Sequence, residues 1–415
     1  MKKIFAVFIV FSVLMLSGCN FLAEDETEKI EVDYSNYIKI STVEDLMQMD
    51  MNKSYELDQN IDMNGQEWVP MGTLNNPFRG HFRGNGYTIS NFVITENNLG
   101  YYGLFGYMEG NIENLKVIQF SIDISSDFLV NVGGLAGVSY GSINNVYVDG
   151  SIRVSSPNSN VYAGLLVGNS NTSLQKLVIA NEFKPVSLSN NIVKGNIEIN
   201  HSDILYAGGL IGKSQNISIS ENEVNDVSIS ASAKTSGFIG GVVGHNFLYD
   251  IESTDASLSV DKDLVFNNII EIDMIVDETP RLSLGGIAGY NQNVNIINNF
   301  TLLSFDVSVE DYLIGLVVGE NWSLDISKNL SVLTSYTSEF DTLQTHVLGT
   351  YVGKNYLNAV SEEGLYASYI DIENFDNQVS QVDVSHLNLI SFYQEEFPTL
   401  ESDFINRIIE LLFAD

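Results

Sequence analysis

From about residue 100 to residue 355 the chain alternates short apolar runs with glycine- or asparagine-centred breaks, and both kinds of break recur. A Gly-apolar-x-Gly element appears as Gly103-Leu-Phe-Gly106, Gly134-Leu-Ala-Gly137, Gly209-Leu-Ile-Gly212, Gly241-Val-Val-Gly244 and Gly286-Ile-Ala-Gly289. Looser copies close at Gly168, Gly319 and Gly353. The closing glycines lie about 30 to 34 residues apart, with two intervals near 45. Downstream of each element an asparagine precedes apolar residues, at Asn114, Asn145, Asn191, Asn268, Asn299 and Asn329. Asn222 keeps the register but is followed by Glu223, which makes it the weakest copy. Alternating stretches such as Ser151-Ile-Arg-Val154 complete each unit.

A period of this length predicts a solenoid, in which no coil buries its apolar face alone and stability comes from stacking neighbours. Each unit reads as three short strands and three turns. Glycine fits where the backbone bends sharply or takes φ > 0, and asparagine tolerates the left-handed region. Stacked asparagines can also hydrogen-bond from coil to coil. The expected fold is all-β, a right-handed parallel β-helix; propeller blades need a longer repeat and leucine-rich repeats a denser leucine pattern.

Solenoid ends need caps. Ser41-Thr-Val-Glu44 reads as a capping box opening a short helix with Val43, Leu46 and Met47 on one face. Thr399 to Phe413 sets Leu400, Phe404, Ile405, Ile408 and Leu412 at helical spacing, which predicts an amphipathic helix docked on the last coil. The two long intervals insert residues 171–187 and 247–263 at the same point of the coil. Insertions at one corner protrude on one side, often the binding side, although neutral loop drift accounts for them equally well. The first carries Lys176 and Lys184, the second Phe247 and Tyr249.

The N-terminus follows another grammar. Met1-Lys-Lys3 and an apolar run from Ile4 to Leu16 lead into Leu16-Ser-Gly-Cys19, the layout of a secretory signal with cleavage between Gly18 and Cys19. The run is short for a spanning helix. Leu-Ser-Gly-Cys resembles a bacterial lipobox, which implies lipid attachment at Cys19, the single cysteine of the chain. The expected organisation is a signal peptide (1–18), a lipidated acidic tether (19–36), an N-terminal cap with opening coils (37–100), β-helix repeats (101–380) and a C-terminal capping segment (381–415).

The repeats resemble the GLUG-motif repeats of bacterial surface proteins. Trp68-Val-Pro-Met-Gly72 and the block Pro77 to Ile89 resemble the opening segment common in such proteins, except that Arg83 replaces a usual acidic residue. The likeness covers roughly residues 37 to 400. It implies a pectate-lyase-like β-helix at the cell surface and a binding or adhesion role, and it supplies no chemistry.

Composition narrows the partners. Fifty-three acidic against 19 basic residues give a net charge of −34, which repels nucleic acid. The five histidines, His81, His201, His245, His346 and His386, begin no His-Glu-x-x-His pattern and read as surface or turn residues, so no metal site and no cofactor are expected. Polysaccharide-cleaving β-helices need carboxylates on adjacent coils. Glu198 and Asp306 share an offset but lie several coils apart, and Asp123 and Asp149 are neighbours at different offsets. Glu271 and Asp273, on one strand face, are the best acidic pair, and a solvated face explains them as well. The sequence therefore points to a non-enzymatic binding or adhesion module outside a bacterial membrane, with an extracellular glycan or protein as partner. A carbohydrate-active enzyme and a structural envelope spacer are the alternatives.

Overall fold

The computed structural model describes residues 35–95, 99–172, 178–179, 182–183, 185–248, 262–309, 311–323, 325–338, 347–349, 351–356, 364–368 and 380–413. Gly18, Cys19, His346 and most of both insertions lie outside them. The chain forms a parallel β-helix, and every coil repeats one circuit. In one coil Phe105–Met108 lies in a first sheet, Asn111–Glu113 in a second, and Lys116–Ser125 and Val130–Val132 along a third, before Ala136–Ser139 re-enters the first. Each segment pairs in parallel with its counterpart one coil on. The third sheet is bent. In two coils, Ile192–Gly208 and Glu223–Gly240, a single strand runs through the bend, so each circuit holds four straight stretches on three sheets rather than three. Alternate side chains point inward, and aliphatic residues from Ile40 to Val352 with Phe82, Phe92, Phe105 and Phe120 fill one continuous core.

The repeat glycines owe their identity to close approach rather than to φ > 0: none of them has positive φ. The closing glycine faces inward at the corner where the first sheet meets the third. A Cβ on Gly212 would lie 2.3 Å from the Ala163 nitrogen, and one on Gly244 2.6 Å from the Ala207 nitrogen. Leading glycines meet the next coil's turn, as at Gly241, whose Cβ would fall 2.1 Å from the Gly286 oxygen. Any side chain would push the coils apart at these points.

The asparagine pattern divides into two columns one residue apart. Asn191, Asn222, Asn268, Asn299 and Asn329 stack inside the core, each at most 2% exposed. Nδ2 of each donates to Oδ1 of the next at 2.9 to 3.0 Å. The backbone N–H of each donates to the same oxygen at 3.0 Å. Val146 N–H closes one end on Asn191 Oδ1, and at the other Asn329 N–H donates to the Tyr351 hydroxyl, which donates back to the Asn329 carbonyl. Asn114 and Asn145 do not belong to this ladder. They have φ of 54° and 53° and align with the left-handed residues Asn190, Glu221, Asn267, Asn298 and Lys328, so their side chains turn outward. Leu115 and Val146 take the inner position in those coils. Asn222, the weakest copy by sequence, sits mid-ladder because the residue that weakens it, Glu223, takes the outward position that Ile192 and Ile269 fill in the neighbouring coils and leaves the inward position to asparagine.

Two further polar columns stack inside. Ser214 Oγ donates to Asn246, Asn246 to Asn291, Asn291 to Asn321 and Asn321 to Asn355 along the first sheet. At the bend of the third sheet, hydroxyls of Ser232 and Thr279 accept from the N–H groups of His201 and Ala233 one coil back.

Both caps differ from expectation. The N-terminal helix, Val43–Met47, is capped by Thr42, whose hydroxyl accepts from Asp45 N–H while the Asp45 carboxylate accepts from Thr42 and Ser41 N–H. The box is thus one residue later than Ser41 and Glu44, and Met47 is exposed. The C-terminal helix, Ser402–Phe413, docks along the flank of several coils rather than on the last one alone. With Ile390–Glu396 it packs on Ile269, Phe300, Leu330 and Leu365, an outward column on the flank of the third sheet, and Arg407 pairs with Glu223 farther up that column. The apolar stripe explains the placement: uncovered, it would expose four large side chains on adjacent strands.

Asn268→Ala strands the N–H and Nδ2 donors of Asn222, and a loss of about 3 to 5 kcal/mol is expected from urea unfolding. Asn145→Gly, in the outer column, costs under about 1 kcal/mol in the same measurement.

Candidate functional site

The corner between the bent third sheet and the first sheet carries the most distinctive surface. Val161 and Ala163, Leu205 and Ala207, and Ile239 point into the core, so Tyr162, Tyr206 and Phe238 on the alternate positions face outward in register. Around the corner an outward column of the first sheet runs Asn169, Lys213, His245, Tyr290, Glu320 and Lys354. Two residues on, Gln215, Phe247, Gln292 and Trp322 form the next column. The period-2 alternation that fills the core therefore presents three parallel columns to solvent.

The rings meet across coils and across the corner. Tyr162 and Tyr206 lie 5.1 Å apart, Tyr206 and Phe238 5.3 Å and near-parallel, and Tyr206 and His245 5.5 Å. His245 packs on Phe247 at 5.3 Å and edge-on to Tyr290 at 4.7 Å. Lower on the same face Trp322 stacks on Tyr356 at 3.9 Å with Lys354 over the Tyr356 ring, and Tyr101, Tyr107 and Tyr140 form a group at the upper end. Lys213 Nζ stands 5.3 to 5.9 Å from the rings of Tyr162, Tyr206 and Phe247, within cation–π range.

His245 departs from the surface or turn residue expected of it. Burial and the Lys213 charge push its pKa down to about 3, so the imidazole is neutral, and its Nδ1 is shielded from water without a partner. Burial likewise lowers the Lys213 pKa and raises those of Tyr162 and Tyr206. Phe247 belongs to the strand Val243–Phe247, so the second insertion begins only after the buried Leu248. The first leaves after Thr172, whose hydroxyl accepts from Val186 N–H and ties its base, and it carries a short antiparallel pair, Val178–Ile179 with Glu182–Phe183. Both insertions depart between the first and second sheets, as their positions in the repeat suggest.

The acidic candidates sort differently. Glu198 and Asp306 share a column but are separated in it by Ser230 and Ile275. Asp123 and Glu198 flank Arg153 and pair with it, and Lys194 takes the position beside Asp149 and binds Asp226 at 2.8 Å. Glu271 and Asp273 line a groove of about 170 Å³ together with Asp226, a residue the sequence pattern does not reveal because it sits in a left-handed bulge. Asp226 N–H donates to Glu271, while burial raises the Glu271 pKa and the Asp226 and Asp273 charges add to the rise. A larger open groove, about 380 Å³, runs over the outward turns of Asn85, Asn114 and Asn145 beside Lys116 and Tyr147. Among the described residues no group of three or more His, Cys, Asp or Glu side chains is placed to hold a metal ion.

Comparison with known proteins adds little beyond the fold. No protein-family profile matches the chain. A stretch of 91 residues is 38% identical to a "Putative Gly-rich membrane protein" of Evansella cellulosilytica, which is 21% of this chain and only 10% of that protein's length. A solved structure titled a putative immunoglobulin A1 protease, from Bacteroides ovatus, aligns over 90% of this chain and 92% of its own at 14% identity, but its TM-score of 0.35 carries no argument. Among the described residues no helix is long and apolar enough to cross a membrane.

The His245 environment is testable by NMR. Its imidazole should show no titration between pH 5 and 8. Because its folded pKa lies below the unfolded value, its contribution to stability is complete above about pH 6.5 and is lost as pH falls toward 3.

Proposed function

We propose that the protein is a lipid-anchored surface module of the GLUG-repeat kind that binds polysaccharide along its outward aromatic columns. The observation that carries this reading is the run of half-exposed rings in register on adjacent coils, Tyr162, Tyr206 and Phe238, joined around the corner to His245, Tyr290 and Phe247. Coils stack at about 4.8 Å, close to the length of one sugar ring in an extended polysaccharide, so such columns suit a repetitive ligand. Aromatic surface supplies contact area at low entropic cost, and Gln215 and Gln292 beside it offer amide donors and acceptors for hydroxyls. A rigid solenoid on a tether holds this face away from the membrane. Cys19 and the acidic stretch after it are the sequence support for that tether, and the relative's membrane label agrees with it.

A second reading, carbohydrate cleavage, draws on the Asp226, Glu271 and Asp273 groove, where a carboxyl with raised pKa lies beside other carboxylates. Asp226, however, is already ion-paired with Lys194.

The full-length protein in detergent is expected to be retarded by immobilised polysaccharide in affinity electrophoresis. Tyr206→Leu with Phe238→Leu should weaken that retardation at least about tenfold, or about 1.4 kcal/mol, at unchanged circular dichroism. Equal retardation of the variant would contradict the assignment, and release of new reducing ends would favour the cleavage reading. Separately, Cys19→Ala should abolish incorporation of labelled palmitate and shift the protein from the membrane to the soluble fraction.

A further inference from the structure

Lys213 is an anomaly in being half-buried without a carboxylate beside it. Arg79, Arg153, Lys194, Arg281 and Arg407 pair with carboxylates, and lysines without an ion pair among the described residues, such as Lys39, Lys53, Lys116, Lys234 and Lys354, are exposed. Among the described residues no carboxylate pairs with Lys213, and the one influence shifting its pKa is burial. A lysine on an outer face can extend its stem and keep the ammonium in water, yet this one lies over three rings, half-buried. Cation–π contact offsets part of the desolvation, and an anion arriving at the site offsets more. Next to it in the column, His245 presents a neutral imidazole whose Nδ1 has no partner.

We propose that Lys213 forms the subsite for an acidic sugar, its ammonium pairing with the carboxylate or sulfate of a pyranose that packs against the neighbouring rings. This rests on the aromatic columns being a polysaccharide site and names the class of polysaccharide. The arrangement also explains how a protein of net charge −34 can select a polyanion. At about 0.15 M salt, charges more than about 8 Å away are largely screened, and the local cation decides.

The test is affinity electrophoresis or calorimetry of the full-length protein in detergent with polygalacturonate, its methyl ester, dextran and dextran sulfate. Polygalacturonate should bind about tenfold or more tighter than its ester. Lys213→Met should remove that preference, so that the variant binds polygalacturonate no more tightly than it binds the ester, whereas Lys213→Arg should keep it. The preference should fade as pH rises through the lowered lysine pKa, before an ordinary exposed lysine titrates. Preference for dextran sulfate over dextran without preference for polygalacturonate over its ester would assign the anion as sulfate, and the reverse as carboxylate. If wild type binds the charged and neutral polymers equally and Tyr206→Leu still weakens both, the Lys213 subsite is overturned while the polysaccharide reading stands. Binding to none of the four overturns both.

Discussion

The interior asparagine ladder is the contact on which the rest depends. A solenoid coil must turn a corner after its second-sheet strand, and that corner leaves a backbone N–H and carbonyls facing a dry core. Asn191, Asn222, Asn268, Asn299 and Asn329 satisfy them: each side chain accepts from the coil before it and reaches a backbone carbonyl, and the first four also donate to the coil after. Because every link is buried, removing one leaves partners with no water to turn to. The ladder therefore fixes the register of adjacent coils, and with it the register of every outward column.

The close approach at the repeat glycines acts with it. Where the first sheet comes against the third, backbone meets backbone with no room for a Cβ, so the corner is sharp. That sharp corner brings Tyr206 and His245, on different sheets, within 5.5 Å. The residues that make the repeat recognisable thus also build the surface from which we read function.

This division decides what the sequence could disclose. The period, the strand-rich solenoid, the point at which the insertions leave and the amphipathic helix over Ser402–Phe413 were legible because each rests on spacing. The asparagine columns were half legible: in the outer and inner positions the residue type is the same, and only φ, at Asn114 and Asn145 against Asn191, separates them. The docking of the C-terminal helix on the flank was written in the outward apolar residues Ile269, Phe300 and Leu330, but these look like core residues in a run without strict alternation. The aromatic columns were missed for a simpler reason. Tyr162, Tyr206 and Phe238 lie six residues before the closing glycines Gly168, Gly212 and Gly244, and His245 one residue after the last of these, so the signal is present in the alignment of copies; their meeting around a corner is not. Asp226 joined Glu271 only through a bulge that no spacing announces.

Hydrogen–deuterium exchange of the full-length protein with and without polygalacturonate tests the account most directly, since it locates the ligand without presuming which side chains hold it. Slowed exchange should appear in peptides spanning 204–215 and 236–247, the two coils that carry Tyr206, Lys213, Phe238 and His245. Protection confined to the strands of Asp226 and Glu271, or to the turns of Asn114 and Asn145, with those peptides unchanged, would contradict it.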